Sequence, residues 1–186
     1  MMKQTIHINC DLGEGGEFDE KLMPLITACN IACAGHAGNL ETMHRTVRLA
    51  LENNVEIGAH PSYPDRANFG RNHMEMTAEE LKLSIEGQVL SLKQIVESEG
   101  GKLSHVKLHG ALYNDAAKDR NISKVVMSSL EDLGDDFRLF VPVNSQLGEL
   151  ALGRFELYYE AFADRNYEKN YGLVPRSKSH AIIEDR

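Results

Sequence analysis

Five short apolar runs in this chain end in the same way: an acid or a histidine, then small or turn-forming residues. The runs close on Asn9-Cys10-Asp11-Leu12-Gly13-Glu14, on Ala32-Cys33-Ala34-Gly35-His36-Ala37-Gly38, on Ile57-Gly58-Ala59-His60-Pro61, on Val106-Lys107-Leu108-His109-Gly110 and on Ala163-Asp164-Arg165. Each reads as a buried strand that stops at a reactive side chain. Helical segments separate most of the runs, and this alternation argues for parallel strands joined by crossover helices. In such folds the C-terminal ends of the strands converge on one face, and that face carries the chemistry. Polar groups far apart in sequence are therefore expected to meet at one site.

The periodicity places strands near 6–10, 25–33, 55–60, 103–109, 137–143 and 155–162. Asn39 can cap a helix over 40–52, with Met43, Val47 and Ala50 on one face. Thr77 and Glu80 form a capping box. The helix behind them carries Leu81, Ile85, Val89, Leu92 and Val96 as a 3.6-residue stripe, stopped by Gly100-Gly101. Asn121 or Ser123 opens a further helix that Gly134 ends, and a short one covers 145–152. The stretch 166–186 is polar and loop-like until Ala181-Ile182-Ile183. A complete eight-unit barrel takes about 250 residues. Six strands in 186 residues predict one domain that is a smaller or open barrel, or a chain that stops early.

Composition narrows the partners. The formal net charge is −8, and no long basic run offers a nucleic-acid surface. No apolar stretch approaches the roughly 20 residues of a membrane span. Residues 1–5 lead straight into a strand-like run, which reads as a chain without a signal peptide. Three cysteines, Cys10, Cys29 and Cys33, suggest a reducing compartment and so a cytoplasmic protein. Cys29 and Cys33 have apolar neighbours and read as buried thiols rather than metal ligands.

The polar turns admit several chemistries. Asp11 and Glu14 lie three apart on a Gly-rich turn. They can bind a metal, orient a water or divide acid and base roles; equally, one can cap a helix while the other is solvated. His36, His60 and His109 stand at matching strand ends, where neutral imidazoles suit metal binding or proton transfer. His7, His44, His73, His105 and His180 lack that placement and read as surface or packing residues. Lys107 lies two residues before His109, so both point to one side of a strand. A lysine inside a barrel needs a partner, such as Asp11 or a substrate anion, unless it snorkels to solvent. Tyr113 and Asn114 can supply hydrogen bonds from the following loop. Asp164 and Arg165 form either a structural ion pair or an anion site. No G-x-x-x-x-G-K-[ST] loop occurs.

Together these segments resemble the LamB/YcsF family, whose members are also called the A component of 5-oxoprolinase. The match runs through Asn9–Gly15, Ala28–Gly38, Ile57–Asp65, Val106–Asn114, Phe162–Tyr167 and Gly172–Arg176. The resemblance implies a seven-stranded β/α barrel of the glycoside hydrolase/deacetylase type, left incomplete at its C-terminal side by an end at Arg186. It implies ATP-dependent opening of a cyclic amide, 5-oxoproline, to glutamate, with two partner subunits, one of which can hold the ATP. On this reading Asp11, Glu14, His36, His60 and His109 are catalytic, and Lys107, Tyr113, Asn114, Asp164 and Arg165 bind substrate. A divalent metal held by Asp11 and two histidines, as in a metal-dependent deacetylase, is the alternative; a non-catalytic lactam-binding subunit is another. Four positions depart from the family pattern. Ala34-Gly35 stands where Gly-Phe is usual, Asn39 where Asp is usual, and Leu108 where Pro is usual.

Overall fold

A computed structural model describes residues 6–134 and 137–184. The lead-in 1–5 and the end at Arg186 lie outside the described residues. Six strands, β1 (Asn9–Leu12), β2 (Ala28–Ala32), β3 (Glu56–His60), β4 (Leu103–Lys107), β5 (Arg138–Pro142) and β6 (Leu157–Glu160), form one sheet in sequence order. Every neighbouring pair is parallel. The connections carry α1 (Asp19–Leu22) with a 3₁₀ turn (Met23–Leu25), α2 (Leu40–Glu52), α3 (Ala78–Ser98), α4 (Gly110–Lys118), α5 (Arg120–Asp132) and α6 (Gln146–Ala151).

Strand side chains alternate between two faces. Cys29, Ile31, Ile57, Ala59, Val106, Leu139 and Val141 belong to the apolar core, with Val47, Ile85, Val89, Leu92 and Leu130 from the helices. Burying an aliphatic side chain such as Ile85 stabilises the fold by about 1.5–3 kcal/mol. The opposite face is polar. Asp11, Asn30, Gly58, His105 and Arg138 fall in successive register across five strands.

The sheet curls so that its two edges approach. Asn9 Nδ2 of β1 donates to Glu160 Oε2 of β6 at 3.2 Å. Lys107 of β4 reaches both Asp11 and Glu160. Side chains bridge this gap, because the ladder runs from β1 to β6 without pairing those edges. The expected seven-stranded barrel is therefore corrected to six strands in an open, curled sheet among the described residues. After β6 the chain makes turns and two isolated antiparallel bridges, Arg165 with Ile182 and Tyr167 with Leu173.

The caps explain the helix starts. Asn39 accepts from Thr42 N, and Thr77 and Glu80 cap reciprocally. Asp119, rather than Asn121 or Ser123, caps α5. Helix α4 begins at His109 without a side-chain cap, so nothing in the sequence announced it, and Tyr113 and Asn114 lie on a helix instead of a loop. No helix among the described residues is long and apolar enough to cross a membrane.

Candidate active site

Four strand ends build the site. After β1, Gly13 takes a left-handed φ of 72°, and its N–H donates to Asp19 Oδ2 at 2.9 Å. This turn leaves Asp11 and Glu14 free of capping duty. After β2, Arg66 donates to the Ala34 and Gly38 carbonyls and ties down the loop that carries His36. His60 ends β3, and its backbone N–H donates to Cys33 Sγ at 3.3 Å. His109 follows β4, with its backbone N–H on the Pro61 carbonyl at 2.9 Å.

The side chains converge. His36 Nε2 lies 3.0 Å from Glu14 Oε1. His60 Nδ1 donates to the Lys107 carbonyl at 2.8 Å, while its Nε2 lies 2.9 Å from His109 Nδ1 and 3.3 Å from Asp11 Oδ2. The His36 and His109 rings stack at 3.6 Å with an interplanar angle of 2°. Phe69 packs edge-on against both. Glu14, His36, His60 and His109 each offer one ligand atom, all within 4.8 Å of one another.

Below this cluster Lys107, 3% exposed, forms ion pairs with Asp11 at 3.0 Å and Glu160 at 3.4 Å. Asn9 Oδ1 accepts from it at 3.1 Å. Asn30 Nδ2 donates to Asn9 and Asp11, and Asn30 Oδ1 accepts from His105 Nε2 at 2.8 Å. The Lys107–Asp11 pairing anticipated from the sequence is thus present.

Burial and charge set the protonation states. Burial pushes the Asp11 carboxyl up, but the charges of His60 and Lys107 outweigh it and hold it well below the usual carboxylate range. Burial opposes the Lys107 charge, yet Asp11 and Glu160 raise its pKa above that of an ordinary lysine. Burial lowers His36, against the pull of Glu14. Burial, and then the neighbouring His60 and His36, hold His109 down to about 3. Both rings are therefore neutral near pH 7.

A cleft of about 610 Å³ opens over these groups. Asp11, Glu14, His60, Lys107 and His109 line it, and Tyr113, Asn114 and Arg165 form part of its wall. The buried Tyr113 hydroxyl, His36 Nδ1 and Glu160 Oε1 have no hydrogen-bond partner among the described residues. Arg165 donates to the Ala181 and Val174 carbonyls and so staples the C-terminal segment. Asp164 is exposed and away from the cleft lining. The sequence reading missed Glu160, Asn9, Asn30 and Phe69. Glu160 follows the rule that named the others, a polar residue at a strand end, and Asn9 shares the face of Asp11 two residues on.

The sequence model of the LamB/YcsF family matches residues 6–186. A Haemophilus influenzae (strain PittEE) protein, named as the A component of 5-oxoprolinase, is 42% identical over 182 residues, 97% of this chain and 74% of that protein. A Pyrococcus abyssi protein of the same name is 43% identical over 188 residues, 97% of this chain and 73% of its own. The crystal structure of a lactam utilization protein from Thermus thermophilus superposes with a TM-score of 0.92 at 32% identity. It covers 98% of this chain and 76% of that one.

Proposed function

The chain belongs to the LamB/YcsF family, and on that footing we propose that it is a component of a 5-oxoprolinase. The reaction opens the lactam of 5-oxo-L-proline to L-glutamate with cleavage of ATP. One observation carries this reading: Asp11, Glu14, His60 and His109 line one cleft over a buried Lys107, with His36 packed against Glu14 and His109, and these groups come from four strand ends. Such a cluster can bind a small polar substrate and stabilise charge that develops on it.

A lactam is a poor electrophile, so its carbonyl must be activated before water attacks. ATP supplies that activation by phosphorylating the amide oxygen. Lactam, ATP and two waters then become glutamate, ADP and phosphate, with the ring C–N bond broken and its nitrogen protonated. Arg71, Lys118 and Arg176 line the cleft and form no ion pair among the described residues, so they fit a phosphate group. A nucleotide site on a partner subunit, or shared with one, is equally compatible with the missing P-loop.

The chain's own residues do the rest. Asp11 is held anionic, so it accepts hydrogen bonds from water or the lactam N–H and orients them; it is too weak a base to take a proton. Lys107 keeps a fixed positive charge on the cleft floor, where it stabilises negative charge on a reacting oxygen. Tyr113, with its hydroxyl unpaired, supplies a further donor on the wall. His60 and His109 turn ring nitrogens toward the reacting centre, and His36 braces Glu14 beside them.

The test is glutamate release from 5-oxoproline with and without ATP, by the chain alone and with its two partner subunits. ATP-dependent release that requires the partners is the expected result. No release from any mixture containing a folded chain overturns the reading. In the complete mixture His60→Ala is expected to lower turnover at least about 100-fold, with an unchanged circular dichroism spectrum. Undiminished turnover removes His60 from the site.

A further inference from the structure

Two hydrogen bonds decide which nitrogens of His60 and His109 carry protons. A carbonyl oxygen can only accept, so His60 Nδ1 and His109 Nε2 bear the hydrogens they give to the Lys107 and Phe69 carbonyls, at 2.8 and 3.0 Å. The other two nitrogens, His60 Nε2 and His109 Nδ1, face each other across 2.9 Å, and with neither a proton nor a cation between them both present lone pairs. Glu14 Oε1 adds another acceptor 3.5 Å from His109 Nδ1. Acceptors crowded together in a buried spot repel one another unless something positive lies between them. A single proton can join only two of the three atoms, whereas a metal cation serves all three.

We propose that Glu14, His60 and His109 bind one divalent cation of the zinc class. Two imidazoles and a carboxylate, without thiolate, suit such an ion. Bond lengths of about 2.0–2.2 Å in tetrahedral geometry set ligand atoms roughly 3.3 Å apart. The separations of 2.9 and 3.5 Å lie on either side of that value, and the ligand atoms of Glu14 and His60 lie within 4.8 Å of each other. Asp11 Oδ2, 3.3 Å from His60 Nε2, stands next to the same point.

His36 belongs to the cluster in a different role. Its ring is parallel to that of His109, at 3.6 Å. Lone pairs lie in the ring plane, so an ion in the plane of one stacked ring is well out of the plane of the other. His36 instead donates from Nε2 to Glu14 Oε1 and holds that carboxylate toward the ion. The three ligands lie along the cleft wall, leaving the remaining coordination positions open to water or substrate. The site does not depend on which amide is opened, and its test reads metal binding rather than turnover.

The experiment is titration of the metal-stripped full chain with Zn²⁺ and Co²⁺, followed by calorimetry and by the visible absorption of bound cobalt. The wild type is expected to bind about one equivalent. His109→Ala and the better-tolerated Glu14→Gln are expected to weaken binding more than tenfold, while His180→Gln, at an exposed histidine, binds like wild type. His36→Ala is expected to weaken it by about 10–100-fold without abolishing it. Thermal melts establish that each variant is folded. No stoichiometric binding by the wild type overturns the proposal, as does unchanged binding in both ligand variants. A far-downfield N–H–N proton resonance that persists in excess Zn²⁺ also overturns it, because the histidine pair would then share a proton.

Discussion

At the residue scale, Ala34 and Gly35, two of the positions that depart from the pattern the family resemblance implies, have physical explanations. Ala34 adopts φ = 66°, the left-handed region in which a side chain is strained and glycine is not. Its side chain is exposed, so replacement loses no packing. Ala34→Gly is therefore expected to stabilise the chain by about 0.5–1 kcal/mol, since relief of strain exceeds the added freedom of the unfolded chain. Urea denaturation measures it, and a loss of stability contradicts the strain argument. Gly35 is set by its packing. A Cβ there would lie 2.2 Å from Gln88 Oε1 and 2.5 Å from Ser62 Oγ. Gln88 pairs with Ser62 through two hydrogen bonds and fills that space. The sequence marked both departures, but only the packed partner explains the second.

At the element scale, strand β3 shows what a glycine inside a strand can mean. Gly58 sits in register with Asn30 and His105. A Cβ at Gly58 would come within 2.1 Å of the His105 ring. That ring cannot easily move, because Asn30 and Ser104 hold its two nitrogens and Phe140 stacks on it at 4.3 Å. Gly58→Ala is expected to cost about 1–3 kcal/mol by overpacking, read from the denaturation midpoint. Unchanged stability would falsify the close approach. Helices α2 and α3 were legible because their caps and apolar stripes are local signals. Helix α4 was not, since its start is set by His109 and by Gly110 at φ = 57°, against the Gly70 backbone. That contact joins segments far apart along the chain, and no local window contains it.

At the scale of the whole molecule, the curled sheet encloses a polar interior, and its titration is shared by the entire fold. His105 is fully buried, and burial, followed by the charges of Arg138 and Lys107, lowers its pKa to about 3. Between about pH 6.5 and 3 the unfolded chain binds a proton there that the folded chain does not. The contribution of His105 to stability is thus fully present above about pH 6.5 and is lost as the pH falls toward 3. The slope is at most about 1.4 kcal/mol per pH unit. Urea melts from about pH 7 to 4 are expected to show this loss, and His105→Gln is expected to flatten it; an equal slope in the variant removes His105 as the cause. By itself the sequence determined the alternation of strand and helix, the caps of α2 and α3, and the identity of the acid and histidine turns, because each is written in neighbouring residues. Tertiary structure alone decided that the six strands of the described residues curl without closing, that Glu160 completes the Lys107 cluster from the far edge, and that His60 Nε2 and His109 Nδ1 face each other. Those outcomes depend on contacts between residues as far as 151 positions apart, which no spacing along the chain encodes.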